Sequence, residues 1–158
     1  MNEGISVQQA DPRDDPAATL IRALAQEEAV LYADLGPDPF DSFKADDVLA
    51  GRGAFVIARL HGDSVGCGAL RQMDRDSAEV NRMYVVPTAR RQGVARAILR
   101  ELERRAAEFG YRTIRAETGN RQPEAVSLYE DAGFYRVPPF GSHANDPISI
   151  FFEKTLSV

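Results

Sequence analysis

Apolar residues recur along the chain with two periods, about 2 and about 3.6, and the switches between them lay out the elements. Ile5 to Val7 is a short apolar stretch that predicts a first strand, and Asp11, Pro12, Asp14, Asp15 and Pro16 then supply turn and helix-start chemistry. Leu20, Ile21, Leu24, Ala25, Leu31 and Tyr32 follow at helical spacing, in a helix that the two prolines of residues 34–40 must end. A second short helix is expected from Phe43 to Leu49. Gly51 and Gly53 mark a turn into a buried strand at Ala54 to Ala58, and His61-Gly62-Asp63 reads as a hairpin turn into Ser64 to Gln72. Glu79 to Val86 is rich in strand formers and is closed by Pro87, which cannot donate to a ladder.

From Val94 the period changes. Ala95, Ile98, Leu99, Leu102, Ala106 and Phe109 fall on one helical face, while Arg96, Arg100, Glu103, Arg104 and Glu108 mostly face away, and Gly110 provides the stop. Tyr111 to Thr118 is strand-like. Pro123 sits where a helix can start, Ala125, Leu128, Tyr129 and Ala132 continue it, and Gly133 ends it. Phe134 to Val137 and Ile148 to Thr155 are expected as closing strands. This order predicts an α+β sheet of mixed direction with one parallel crossover at its centre.

The length of 158 residues suits one domain, here residues 1–158, and 44% hydrophobic and 27% charged residues are ordinary for a soluble globular protein. The first residues form no secretory leader and no apolar run is long enough to cross a bilayer, so a cytoplasmic protein without a membrane partner is expected. Cys67 is the single cysteine, which rules out an internal disulfide and a cysteine-built metal site; no other metal-ligand spacing occurs, so no metal is expected. The net charge of -5 is unevenly placed: residues 1–50 carry eleven acids against Arg13, Arg22 and Lys44, whereas residues 71–121 carry twelve arginines against seven acids. The acidic front could favour a cationic substrate and the basic middle an anionic ligand, or both could be solvated faces. A net acidic chain argues against nucleic-acid binding.

Chemistry concentrates between Met83 and Arg96, where a strand gives way to a helix through a short basic turn containing glycine. The first turn of a helix has about four backbone N–H groups without internal partners and a partial positive charge, so an anion docks there. Arg90, Arg91 and Arg96 could add charge, Gly93 permits close approach, and Ala95 keeps the next turn small. The chain contains neither G-x-x-x-x-G-K-[ST] nor a G-x-G-x-x-G after a strand, which removes support from triphosphatase and dinucleotide readings.

Arg90-Arg-Gln-Gly-Val-Ala95 resembles the R/Q-x-x-G-x-G/A coenzyme A loop of the GNAT family of acyl-coenzyme A N-acyltransferases. Asn81 to Pro87 is similar to that family's central strand, and Gln122-Pro-Glu-Ala-Val-Ser-Leu-Tyr-Glu-Asp-Ala-Gly-Phe134 to its N-x-x-A-x-x-L-Y-x-x-x-G-F helix, with Gln122 in place of the family's asparagine. The resemblance implies the GNAT fold: a mixed central sheet of six to seven strands, splayed in the middle and flanked by about four helices. It implies acetyl-coenzyme A as cosubstrate and an amine as acceptor, in a monomer or homodimer. The pantetheine arm would bond to the backbone of Met83, Tyr84 and Val85, with the pyrophosphate on Arg91, Gln92, Gly93, Val94, Ala95 and Arg96, Arg90 adding charge, and Gln122 nearby.

An alkyl amine, with a pKa near ~10, must lose a proton before it attacks a thioester. Glu79 occupies the position at the head of the central strand where some members of the family place a base, and Glu117 the position where others do; a water relay is the third possibility. Tyr129 matches the family's tyrosine, which would protonate the departing thiolate. Backbone N–H near Val85 could stabilise the oxyanion. Cys67 reads as a buried strand residue, and His61 and His143 as solvent-facing. The competing reading is a coenzyme A binding or sensing module that keeps the fold without the catalysis. Residues about 30–45 and 137–147 are where the acceptor site is expected.

Overall fold

The structure, a computed structural model, describes residues 4–35, 51–141 and 144–156. The strands are β1 (Ile5–Gln9), β2 (Ala54–Leu60), β3 (Asp63–Gln72), β4 (Ser77–Val85), β5 (Thr113–Gly119), β6 (Tyr135–Arg136) and β7 (Ser149–Thr155). The helices are α1 (Ala17–Leu31), α2 (Val94–Glu108) and α3 (Pro123–Asp131), with 3-10 turns at Ala33–Leu35 and Pro87–Ala89. All strands join one sheet in the order β1-β2-β3-β4-β5-β7-β6. Among the described residues only β4 and β5 run parallel, joined by the α2 crossover; every other pairing there is antiparallel.

The α+β expectation and the mixed seven-stranded sheet hold. Three α-helices lie among the described residues, and the short helix expected at Phe43 to Leu49 falls outside them. β1 runs past its apolar residues to Gln9 because β2 offers it a full edge of partners, Ile5↔Leu60 to Gln9↔Val56. β6 contracts to two residues. The predicted hairpin turn is present, with positive φ at both His61 (52°) and Gly62 (91°), the conformation that matches the twist of paired strands.

Each face of the sheet carries its own core. On one face Val56, Leu70, Val80, Ile114 and Ala116 pack against Ile98, Leu99, Leu102 and Ala106 of α2, joined by Tyr129 of α3 and Ala132 just past its end. On the other, Ala17, Leu20 and Leu24 of α1 cover Phe55, Ile57, Cys67, Ala69 and Tyr84. The apolar stripe predicted for α1 narrows on its way to the C-terminus: Ala25 and Leu31 are exposed, while Tyr32 just past the helix is fully buried. α2 approaches β3 closely because two strand positions lack a side chain. A Cβ on Gly68 would lie 2.6 Å from Ile98 Cγ2 and 2.8 Å from Met83 Sδ, and one on Gly66 2.8 Å from the Tyr84 carbonyl oxygen.

The sheet opens in the middle. β4 and β5 pair only from Ser77↔Thr113 to Val80↔Ala116. Beyond that point β4 stays on β3, through Cys67↔Tyr84 and Gly66↔Val85, while β5 stays on β7, from Glu117↔Phe151 to Gly119↔Ser149. The divergence coincides with an extra residue in β4: Asn81 to Tyr84 spans the partners Ala69 to Cys67, and Arg82 takes φ 54°. A bulge of this kind bends one strand away from its neighbour.

Candidate active site

The opening between the strands is a cleft of about 600 Å³ including its open mouth. Val80, Asn81, Arg82 and Met83 of β4 form one wall and Glu117 and Thr118 of β5 the other, with Leu24 and Glu28 of α1, and Gln122, Ala125 and Tyr129 at and in α3, completing it. Strands that part company leave backbone N–H and C=O groups without a ladder, so the walls offer hydrogen bonds to an extended, amide-bearing guest. Met83, Tyr84 and Val85 lie on this diverging stretch.

At the far end of β4 the chain turns into α2 through Arg90, Arg91, Gln92 and Gly93. Arg91 (φ 64°) and Gly93 (φ 85°) are both left-handed, and no side chain caps the helix. The backbone N–H groups of the first turn, Val94, Ala95 and Arg96, are thus without intrahelical acceptors. Successive N–H groups in such a turn form an anion-binding concavity. The Arg90 side chain turns the other way: its Nε donates to the Val85 carbonyl oxygen at 2.8 Å and its Nη2 to Glu27 Oε2 on α1 at 2.7 Å, with the guanidinium 5.7 Å from the Tyr84 ring centre. It joins the end of β4 to α1.

Gln122, just before α3, accepts a hydrogen bond on Oε1 from the Tyr32 hydroxyl at 3.2 Å. The same hydroxyl accepts from the Arg121 backbone N–H at 3.2 Å, and the Arg121 guanidinium holds Asp34 through 2.6 and 3.0 Å contacts. The end of α1 is therefore fastened to the entrance of α3. Nothing in the sequence pattern pointed to this link, whose partners are about ninety positions apart.

The three ionisable candidates sit differently. Tyr129 is buried, 3% exposed, between Phe134 and Phe152, and lines the cleft. Burial first, and the negative charge of Glu79 second, push its phenol well above the ordinary value. Glu117 stands on the cleft wall, and its Oε2 accepts a hydrogen bond from Ser149 Oγ at 2.6 Å. Glu79 is 3% exposed and its Oε1 accepts from Arg71 Nη2 at 2.6 Å. It belongs to a row across the sheet, Arg71↔Glu79↔Arg115↔Glu153↔Tyr135, in which charge alternates from strand to strand. Arg115 Nε donates to Glu153 Oε1 at 2.8 Å and the Tyr135 hydroxyl to Glu153 Oε2 at 3.2 Å. Opposite charges directly across a sheet stabilise their pairing. The sequence showed Ser149 and Arg71 only as polar residues within strands, and register alone makes them neighbours of the two glutamates. Cys67 is buried under α1, and its thiol is pushed up to about 12 by burial. No group of metal-ligating residues occurs among the described residues, and His143 lies outside them.

Residues 19–134 match the model of the acetyltransferase (GNAT) family. Over 103 residues, 65% of this chain and 67% of the relative, the sequence is 40% identical to the IAA acetyltransferase of Azospirillum brasilense. A crystal structure from Klebsiella pneumoniae subsp. pneumoniae MGH 78578, assigned as a candidate acyl-CoA N-acyltransferase, superposes with a TM-score of 0.80 at 27% identity, covering 97% of this chain and 98% of that one. The fold is also that of a GNAT acetyltransferase from Elizabethkingia anophelis solved with acetyl-CoA bound: TM-score 0.71, 18% identity, 98% of this chain and 99% of that one. A splayed β4–β5 sheet, an uncapped glycine-led helix after β4 and a family match spanning both lead to one conclusion: the chain belongs to the acetyltransferase (GNAT) family of acyltransferase enzymes.

Proposed function

We propose that the chain moves the acetyl group of acetyl-coenzyme A directly onto an amine that enters the cleft between β4 and β5. The observation that carries this reading is that Glu117 and Tyr129 reach the same opening at which β4 leaves its neighbour. The pantetheine arm would lie along Met83, Tyr84 and Val85. The pyrophosphate would rest on the backbone of Arg91 to Arg96, where two left-handed residues precede the helix and Arg91 and Arg96 add charge. Arg90, already bound to Val85 and Glu27, contributes its charge from a distance. Gln122, bound to Tyr32, fixes the α3 entrance.

In the reaction Glu117 takes the ammonium proton, the freed amine nitrogen bonds to the thioester carbon, the carbon–sulfur bond breaks, and the nitrogen's second proton ends on the departing sulfur, which leaves as the thiol. Tyr129 supports the leaving sulfur. Because its phenol titrates above the ordinary range, it holds its proton throughout and stabilises the developing thiolate chiefly as a hydrogen-bond donor. Among the two glutamates Glu117 is the better base: it lines the cleft, whereas Glu79 is buried in an ion pair with Arg71.

Thiol release measured with a panel of amines tests the assignment. Glu117→Gln is expected to lower kcat by about 10²- to 10⁴-fold at neutral pH, with partial recovery as pH rises and unchanged acetyl-coenzyme A affinity by calorimetry. Tight cofactor binding with no amine-dependent thiol release in the unaltered protein would favour the binding or sensing module instead. A rate loss in Glu79→Gln but not in Glu117→Gln would transfer the proton to Glu79.

A further inference from the structure

We infer that Ser149 is a positioning residue that fixes the Glu117 carboxylate for proton transfer, an inference that rests on Glu117 being the base. In the antiparallel pair β5–β7, Glu117 stands opposite Phe151 and Gly119 opposite Ser149. Ser149 is therefore two residues from Glu117's direct partner, on the same face of the sheet, within diagonal reach. Its Oγ donates to Glu117 Oε2 at 2.6 Å. A hydroxyl bonded to a carboxylate is among the stronger neutral-to-charged contacts, and here it restrains a terminal torsion that is otherwise broad.

The serine is itself held. Its backbone N–H donates to the Asp146 carbonyl oxygen at 3.2 Å, the Ile148 N–H donates to Asp146 Oδ1 at 3.1 Å, and the Ile148 carbonyl accepts from the Asn120 N–H at 2.7 Å. A turn at Asp146 thus sets the start of β7, β7 sets Ser149, and Ser149 sets one oxygen of Glu117. Glu117 lines the cleft, so the placement of its carboxylate there governs how an incoming amine meets it. A shift of about 1 Å in a reacting group costs of the order of 10²-fold in rate, so a hydrogen bond that narrows the carboxylate's placement bears on turnover.

The hydrogen bond has a second effect with a definite sign. Donation to a carboxylate favours its charged form, so loss of the Ser149 hydroxyl is expected to raise the pH below which Glu117 ceases to act as a base. Among the described residues, the charged or titratable groups on its strand register and cleft wall include Arg115 two residues before it on β5, Arg82 on β4, Glu28 on α1, Tyr129 on α3 and Glu153 on β7. Arg115 is engaged by Glu153. A change at Ser149 leaves all of these in place.

The test compares the pH dependence of kcat/KM for one amine, at saturating acetyl-coenzyme A, in Ser149→Ala, Ser149→Thr, Glu117→Gln and the unaltered protein, so that the amine's own titration is common to all. Ser149→Ala is expected to move the acidic limb upward by about half to one pH unit and to lower kcat about 3- to 10-fold, with the KM for acetyl-coenzyme A unchanged. Ser149→Thr, which keeps the donor and suits a strand, is expected to restore both. An acidic limb in Ser149→Ala identical to that of the unaltered protein, while Glu117→Gln abolishes it, overturns the inference and leaves Glu117 as the base. Survival of the limb in Glu117→Gln overturns the underlying assignment as well. Loss of thermal stability in Ser149→Ala without movement of the limb identifies a purely structural contact and also overturns it.

Discussion

Tyr129 sits between the rings of Phe134 and Phe152, at centroid distances of 5.3 and 5.6 Å, so its ring is fixed by packing while the residue lines the cleft. Tyr129→Phe keeps those contacts. It is expected to leave the melting temperature within about 2 °C and acetyl-coenzyme A affinity unchanged, while kcat falls roughly 10- to 10³-fold. The raised phenol adds a sign: its charged form appears only above the ordinary value near ~10, so the rate loss should be even across neutral and mildly alkaline pH. A loss confined to low or high pH would show that the hydroxyl titrates in the working range. Cys67 gives a second residue-level expectation. With its thiol raised to about 12, the folded state prefers the protonated form; the associated stability is complete below the ordinary thiol value of 9.0 and is lost as pH rises from there toward 12. A thiol reagent at pH 8 should label the native chain only at the rate of unfolding, and prompt labelling would place Cys67 nearer the surface. Tyr129 and Glu117 were legible as candidates from a motif, because they stand at fixed offsets from Pro123, Gly133 and a strand. Ser149 and Arg71 were not, because a hydrogen bond across strands depends on register, which local sequence does not record.

The same distinction governs whole elements. α2 lies at Val94–Glu108 as its apolar face predicts, because one stripe of Ile98, Leu99, Leu102 and Ala106 meets one surface of the sheet. α1 departs further from its pattern: Ala25 and Leu31 of its predicted stripe are exposed, since beyond Leu24 the helix passes over the cleft rather than the core, and its end is secured by the polar Tyr32 contacts instead. The depth at which α2 docks was not visible either. It depends on Gly66 and Gly68, which in a sequence read only as weak strand formers. Gly68→Ala would place a methyl 2.6 Å from Ile98 and 2.8 Å from Met83, with Leu102 at 3.1 Å on the third side. That overpacking should cost about 1–3 kcal/mol by denaturant unfolding. Because Met83 belongs to the cleft wall, the KM for acetyl-coenzyme A should rise together with the loss of stability. Unchanged stability would mean that α2 can shift outward without strain. α3 is anchored from behind: Lys154 Nζ donates to the Ala132 carbonyl oxygen at 2.7 Å and to Glu103 on α2 at 2.6 Å, so the helix that carries Tyr129 is tied to both β7 and α2.

At the scale of the whole molecule, the sheet is two sub-sheets joined by a short parallel seam. β1 to β4 form one antiparallel unit, β5 to β7 another, and between them the ladder runs only from Ser77↔Thr113 to Val80↔Ala116. Beyond the seam, the Tyr32 contacts to Gln122 and Arg121 bridge the halves from the α1 side, and the α2 and α3 core joins them from the other. A ligand lying in the opening touches both halves at once, bonding to β4 on one wall and packing against β5 and α3 on the other. Such a ligand binds the native state and not the unfolded chain, so mass action alone stabilises the fold: about 2.7 kcal/mol at a concentration one hundred times its Kd. For a chain of this size each kcal/mol raises the melting temperature by roughly 2–4 °C, so near-saturating acetyl-coenzyme A should raise it by about 5–10 °C. The distribution of that effect is the sharper expectation. In hydrogen exchange, amides of Met83 to Val85 and of Arg91 to Arg96 should gain protection by direct contact. The strands of the two sub-sheets far from the cleft, β1 and β7's distal end, should gain only what global stabilisation provides. An unchanged melting temperature in the presence of acetyl-coenzyme A would remove the cofactor from the cleft. Protection confined to one side of the seam would show that the ligand lies on one sub-sheet and does not staple the two.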